Sequence, residues 1–339
     1  MRSFWLFRTN LKTREYYHNF IALKTFKEQC HDYYLIFPLW LLENDYFDEV
    51  VIWRLSDENI PDIIFKIGEK RYIQRWVKNF KEAAGCFNTP EISFFRGGFP
   101  EYDEVVLERP DRFGLKLYLG AGKRIFPQHG GKYDVYLLED ELDFVSDKKC
   151  LPFYKTANPY IFKPLDLPKD YDVCWPANFT QMRYKGQELF YQTFGACPRL
   201  VDLKIIHCGN QPEVAMKMAR DANLKNFKSI GSVDRNVLNE MLNRSKFAIN
   251  FSNRKDGCPR VSTEILMSGT PLLLRKETRL LNYYKRKGVK TFPDINLIRN
   301  ALVIMAENEK YREDLKQAIK NELSFDTINK LNINLWKKN

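Results

Sequence analysis

Short apolar runs rich in aromatic and β-branched residues alternate along the chain with amphipathic stretches at helical spacing. This is the pattern of βαβ units wound around a parallel sheet. In the first half the runs predict strands near Ser3 to Phe7, Glu49 to Trp53, Ile92 to Phe95, Leu115 to Leu119 and Val135 to Leu138. Helices are expected between several of them. The clearest is Tyr72 to Ala84, where Ile73, Trp76, Val77 and Phe80 fall on one apolar stripe.

The stretch Leu151 to Pro168 (LPFYKTANPYIFKPLDLP) carries four prolines, which remove backbone donors and discourage regular structure. An inter-domain linker is expected there. A second alternating series follows: a strand at Asp172 to Trp175, a helix from Gly186 to Phe194, the strand LKIIHCG, a helix from Glu213 to Ala222 and the short strand FKSIG. The helix NVLNEMLNRS and the strand KFAINFS come next. A chain of 339 residues is long for a single core, so two domains are the default. The expected boundaries are 1–165 and 166–325, with a tail at 326–339 that packs back on the first domain or frays as an amphipathic end.

The densest chemical signal lies between Ser252 and Pro271. In the loop NRKDGCP, Gly257 permits a tight turn and Pro259 suits the first turn of a helix, where its missing N–H has no partner to lose. The amides that follow, from Arg260 through Val261 to Ser262, would form a helix N-terminus aimed at an anion, with Arg260 adding a fixed positive charge. Asp256 precedes this helix and Glu264 lies about one turn into it, so both can face one cleft. Gly269, Thr270 and Pro271 then close the helix, and the apolar run LLL reads as a buried parallel strand.

These residues resemble the C-terminal half of the retaining, GT-B-fold glycosyltransferases of family 4. That signature is two acids separated by seven residues, a Gly after the first acid and Gly-Thr-Pro after the helix; here Asp256, Gly257, Glu264, Gly269, Thr270 and Pro271 match it, with Asp256 in place of the usual Glu. Gly231 and Ser252 also stand where that family has its upstream Gly and its loop Ser. Continuous resemblance runs from about Leu203 to Leu274, roughly a fifth of the chain.

The resemblance implies an α/β protein of GT-B architecture, two Rossmann-like α/β/α domains facing across a cleft. It implies a hexosyltransferase-type enzyme that moves a sugar, with retention, from a nucleotide sugar to a glycan or other hydroxyl acceptor. Glu264 would accept hydrogen bonds from the ribose hydroxyls and Asp256 would lie near the donor sugar. The backbone of Gly257, Cys258, Pro259, Arg260 and Val261 would contact sugar and phosphate. Lys185, just before a predicted helix in CWPANFTQMRYKGQELF, stands where the family has a cation for the leaving diphosphate, and Arg183 is the candidate for the Arg of a Gly-Arg pair that is not recognisable here.

Independently of the family, a site that releases an anionic diphosphate without a metal must draw positive charge from Lys, Arg and helix-end amides. Lys185 and Arg260 meet that need. No cofactor or metal is therefore expected. The acidic run Glu139 to Glu141 is far in sequence from this signature and reads as a solvated face, and LGAGKR lacks the spacing and hydroxyl of a phosphate-binding P-loop. In the acceptor half, His129 either lines the cleft or is a satisfied histidine, and Gly97-Gly98 either lets backbone approach a ligand or makes a turn.

Composition narrows the remaining classes. An apolar fraction of 44% with 29% charged residues belongs to a folded globular chain. The formal charge of +11 attracts anions of any kind, and the patches at Arg275, Lys276 and Arg279 and at Lys285 to Lys290 are solvated surface or anion contacts. A nucleic-acid-binding protein and a degenerate GT-B binding module are the alternatives; no helix-turn-helix, zinc-finger or RNP-type motif supports the first, so no nucleic acid is expected. The seven cysteines are scattered without metal spacing, which fits a reducing, cytoplasmic setting. No signal peptide and no apolar run of ~18 residues is apparent, while peripheral membrane attachment through basic and aromatic side chains stays open.

Overall fold

A computed structural model describes residues 2–8, 22–30, 32–86, 88–96, 100–119, 132–139, 149–179, 185–253, 260–278, 282–287, 289–292 and 295–337. The chain divides into two compact units, Met1–Phe153 and Tyr154–Asn339.

The first unit is an eight-stranded sheet. Its strands are β1 (Ser3–Arg8), β2 (Glu49–Leu55), β3 (Ile63–Ile67), β4 (Lys70–Val77), β5 (Ile92–Arg96), β6 (Leu115–Leu119), β7 (Val135–Leu138) and β8 (Cys150–Pro152), in the spatial order β3-β4-β2-β1-β5-β6-β7-β8. All neighbours are parallel except the β3–β4 hairpin at one edge. The described helices are α1 (Leu23–Gln29), α2 (Tyr33–Glu43), the single turn α3 (Lys81–Ala84) and α4 (Pro100–Glu108).

Both faces of this sheet are covered. Trp5, Phe7, Trp53, Phe95 and Tyr118 pack with Tyr102, Val105 and Val106 of α4 on one face. On the other, α2 lies against the sheet, with Phe37 beside Phe4 and the Tyr72 hydroxyl donating to the Leu35 carbonyl at 3.0 Å. α2 is apolar around its whole circumference because it is buried from Tyr33 to Leu42.

The helix expected at Tyr72 to Ala84 is not there. Lys70–Val77 is strand β4, between β2 and β3, and only Lys81–Ala84 turns helically. Tyr72, Ile73, Gln74 and Val77 are all buried, as in a strand covered on both faces. Such a strand loses the alternation that marks a half-buried one and can imitate a helical stripe.

The second unit is a six-stranded, all-parallel sheet. Its elements run β9 (Tyr171–Pro176), α5 (Gln187–Gly195), β10 (Ile205–Cys208), α6 (Pro212–Asp221), β11 (Phe227–Ser229), α7 (Arg235–Asn243), β12 (Ser245–Asn250), α8 (Arg260–Met267), β13 (Leu272–Arg275), α9 (Asn282–Lys287) and β14 (Val289–Phe292). Three helices end the chain: α10 (Ile295–Glu307), α11 (Glu309–Glu322) and α12 (Phe325–Lys337). The strands expected from the sequence here are all present, as is the helix that follows Pro259.

The order β11-β10-β9-β12-β13-β14 is that of a doubly wound Rossmann sheet, whose direction of winding reverses between β9 and β12. Trp175, Phe247, Ile249 and Leu273 face α5, α6 and α10, while Cys174, Ala248, Leu272 and Leu274 face α7 and α8. α12 is tied to the start of its own unit: Tyr154 N–H donates to Asn332 Oδ1 at 2.9 Å and Asn332 Nδ2 donates to the Tyr154 carbonyl at 2.7 Å. No helix among the described residues is long and apolar enough to cross a membrane.

Candidate functional site

At the carboxyl ends of β9, β10 and β12 lies a cavity of about 310 Å³. This is where a doubly wound sheet places its ligand, because the helices on either side of the reversal leave a crevice there. Lys185, Ser252, Arg260, Val261 and Glu264, five residues singled out by the sequence, line it together. Arg183, Asp256, Gly257, Cys258 and Pro259 lie outside the described residues, and so does His129.

The cavity floor is a stapled pair of loops. Asn178 Oδ1 accepts from Asn210 N–H at 3.0 Å, Asn210 Oδ1 accepts from Phe179 N–H at 2.5 Å, and the buried Gln187 donates to the Asn178 carbonyl at 2.7 Å. Beneath them is His207, wholly buried among the rings of Trp175, Phe179 and Phe227. Burial lowers its pKa to about 4, against the opposing hydrogen bond to Ala177. The ring is therefore neutral: Nε2 donates to the Ala177 carbonyl at 2.8 Å, which leaves Nδ1 to accept from the Ser229 hydroxyl at 2.8 Å.

Lys185 reaches the cavity through a backbone requirement. Gly186 caps α5 at φ +74°, and a Cβ there would sit 2.4 Å from the Phe251 carbonyl oxygen. Only glycine fits both the left-handed conformation and the close approach. The expected Lys-Gly before the helix is thus a steric feature of the fold as well as a charge at the cavity wall.

β12 and α8 are joined by polar contacts. Asn250 donates to the Ser262 hydroxyl at 2.8 Å and accepts from Ser252 N–H at 3.0 Å, while the Thr278 hydroxyl donates to the Ser252 carbonyl at 2.6 Å. α8 closes as expected. Gly269 is at φ +75°, its N–H donates to the Leu266 carbonyl at 3.0 Å, and Thr270 N–H donates to that of Ile265 at 3.3 Å, the two bonds of a Schellman motif. Cap and tether together fix the pitch of the helix that carries Glu264.

Glu264 is not a solvated helix acid. It is 3% exposed, and its Oε2 accepts a hydrogen bond from Arg235 Nη1 at 3.0 Å. Burial pushes its carboxyl above the usual glutamate range, while Arg235, Arg260 and Lys155 pull it back down. Arg235 was not singled out by the sequence. It is the first residue of α7, after the N-cap Asp234, just as Arg260 is the first of α8. A cation at the positive end of a helix dipole is locally unfavourable, and two such arginines opening helices onto one cavity are the signal that would have found it.

Among the described residues the walls therefore carry three cations, Lys185, Arg235 and Arg260, and one buried carboxylate. Such a site suits a polyanion that also offers hydroxyl donors. Among the described residues no group of three or more His, Cys, Asp or Glu side chains is placed to hold a metal ion.

No protein-family profile and no curated protein matches the chain. Solved structures do. The chain aligns with sucrose-phosphate synthase from Thermosynechococcus elongatus at a TM-score of 0.64 and 13% identity, over 100% of this chain and 99% of that one. A glycosyltransferase from Rickettsia africae aligns at 0.65 and 11%, over 99% and 98%. The E. coli trehalose-6-phosphate protein bound with UDP-2-fluoro glucose aligns at 0.61 and 11%, over 99% and 97%. At these identities the likeness shows the fold: the chain has two Rossmann-like α/β units and the GT-B fold.

Proposed function

We propose that this protein is a glycosyltransferase that moves a sugar from a nucleoside-diphosphate sugar to a glycan or other hydroxyl acceptor, with retention and without a metal. The observation that carries the reading is the cavity at the β9/β12 reversal, where buried Glu264 stands among Lys185, Arg235 and Arg260. A nucleoside diphosphate offers a ribose diol, which donates hydrogen bonds to a carboxylate, and a diphosphate, which accepts them from cations and helix-end amides.

In this reading Glu264 takes the ribose, and Lys185 and Arg260 take the diphosphate. When the bond between the sugar and the diphosphate breaks, the electron pair leaves on a phosphate oxygen, and the charge that develops there is met by Lys185, Arg260 and the α8 N-terminus. Arg183 would add to that charge. Asp256 and the Gly257 to Val261 backbone keep the sugar-side roles that the family resemblance gives them, and His129 is the acceptor-side candidate.

Thermal-shift and hydrolysis assays against UDP-, GDP- and ADP-sugars test the proposal. One nucleotide series should raise the melting temperature and be turned over, with turnover unchanged in excess EDTA and the donor's anomeric configuration kept in the product by NMR. Silence toward every sugar nucleotide, with strongly salt-dependent binding to DNA or RNA instead, would overturn it. Activity lost in EDTA and restored by manganese would overturn the metal-free part.

A further inference from the structure

Among the described residues, Arg235 is the one side chain that hydrogen-bonds the Glu264 carboxylate. Among the described residues the other cations near Glu264 are Arg260 on its own helix and Lys155 in the segment after β8, which act on the carboxyl through space, and Lys185, which lines the same cavity. Arg235 is itself only partly covered, with 35% of its side chain exposed, and it lines the same cavity. Its place at the start of α7 works against the helix dipole. Helix stability therefore does not account for an arginine here, whereas the buried carboxylate 3.0 Å away does. A buried charge that loses its only hydrogen-bonded partner is strongly destabilised.

We propose that Arg235 is a positioning residue for nucleotide recognition: it acts through Glu264, fixing the orientation and charge of that carboxylate for the ribose diol. The inference rests on the donor-site reading above. Arg235 Nη1 occupies Oε2, and the lone pairs that remain are enough for two ribose hydroxyls. Without Arg235 the carboxyl would lose the strongest influence opposing its burial. It would then take up a proton at higher pH than in the wild type, and its charge-assisted bonds to the diol would weaken as the pH falls.

The test is a cycle between residue and ligand hydroxyls. The best-binding of UDP, GDP and ADP, and its 2′,3′-dideoxy counterpart, are titrated by calorimetry into wild type, Arg235→Gln, Arg235→Lys and Glu264→Gln from pH 5.5 to 8.5. Arg235→Gln should raise Kd for the ribonucleotide about tenfold or more at pH 7.5 and move the acid loss of affinity to higher pH. Arg235→Lys should restore part of the affinity. For the dideoxy nucleotide the effect of Arg235→Gln should shrink to about twofold or less, the coupling expected of groups that act through one contact. Equal loss for both nucleotides, or a loss independent of pH, would overturn the proposal while leaving the donor site standing. If Glu264→Gln binds the ribonucleotide as the wild type does, the donor-site reading itself fails.

Discussion

The two units are wound from the same βα pattern, yet the described parts of their sheets are finished differently at the carboxyl edge. In the second unit the edge is polar and tied together: Asn178 to Asn210, His207 between Ala177 and Ser229, Asn250 to Ser262, Arg235 to Glu264. These bonds surround a cavity. The first unit is built around aromatic packing, with the Phe7 ring against Trp53, Phe95 and Phe113; its Arg54 to Gln74 pair is buried within the sheet, and the polar groups that end β5 and β7, Arg96 and Glu139, both meet Tyr34 of α2. The lesson is that one fold class occurs twice, while the cavity described above is built from the polar strand ends of the second unit. Function belongs to the strand-end polar groups, not to the winding that holds them.

The largest expected effects come from testing that separation with one buried tryptophan in each unit. Trp53→Ala and Trp175→Ala should each cost about 3 to 5 kcal/mol of stability, as large aromatic truncations in cores do. Their consequences for ligand should differ. Trp175 stacks on Phe190 at 3.9 Å and touches His207 at 5.0 Å between ring centres, so its loss should also weaken nucleotide binding through the cavity floor. Trp53 packs in the other unit's core, and the folded Trp53→Ala protein should bind nucleotide as the wild type does. Chemical denaturation with calorimetric titration checks both. Equal loss of binding would mean that the two cores are not separable in function.

A smaller effect sharpens the contrast in polar burial. His207 is held neutral, with a folded pKa of about 4 against about 6.5 in an unfolded chain. Between those values the unfolded state binds more protons, so the stability this residue contributes is present above pH 6.5 and is lost as the pH falls toward 4. Between pH 7 and 5 the loss should be on the order of 2 kcal/mol. Urea midpoints across that range should fall less in His207→Asn, which cannot titrate; a parallel fall would place the acid sensitivity elsewhere.

Much of this architecture is legible in the sequence, and the exceptions have physical causes. From β9 to β13 the second unit's strands and helices fall where the periodicity predicts, because runs such as LLL at Leu272 to Leu274 are flanked by glycine, proline and capping residues; β14 and the helices from α9 to α11 are not among the predicted elements. β4 imitates a helix because its central residues Tyr72, Ile73 and Gln74 are buried on both faces of the sheet. The site is legible where it is continuous in sequence: Ser252, Arg260, Val261 and Glu264 come from one loop and helix, and Lys185 from a Lys-Gly pair. Arg235 and His207 are not, since each gains its role from partners about thirty residues away and neither belongs to a motif.

In the proposed function Glu264 holds the ribose of a nucleotide in the second unit's cavity. Calorimetric titration of wild type and Glu264→Gln with the nucleotide that binds best among UDP, GDP and ADP reads that contact. Hydrogen bonds to a charged group contribute roughly 1.5 to 3 kcal/mol, so the substitution should raise Kd by about one to two orders of magnitude while the fold persists. An unchanged Kd in the folded variant would contradict the account and leave Glu264 as half of a structural ion pair with Arg235.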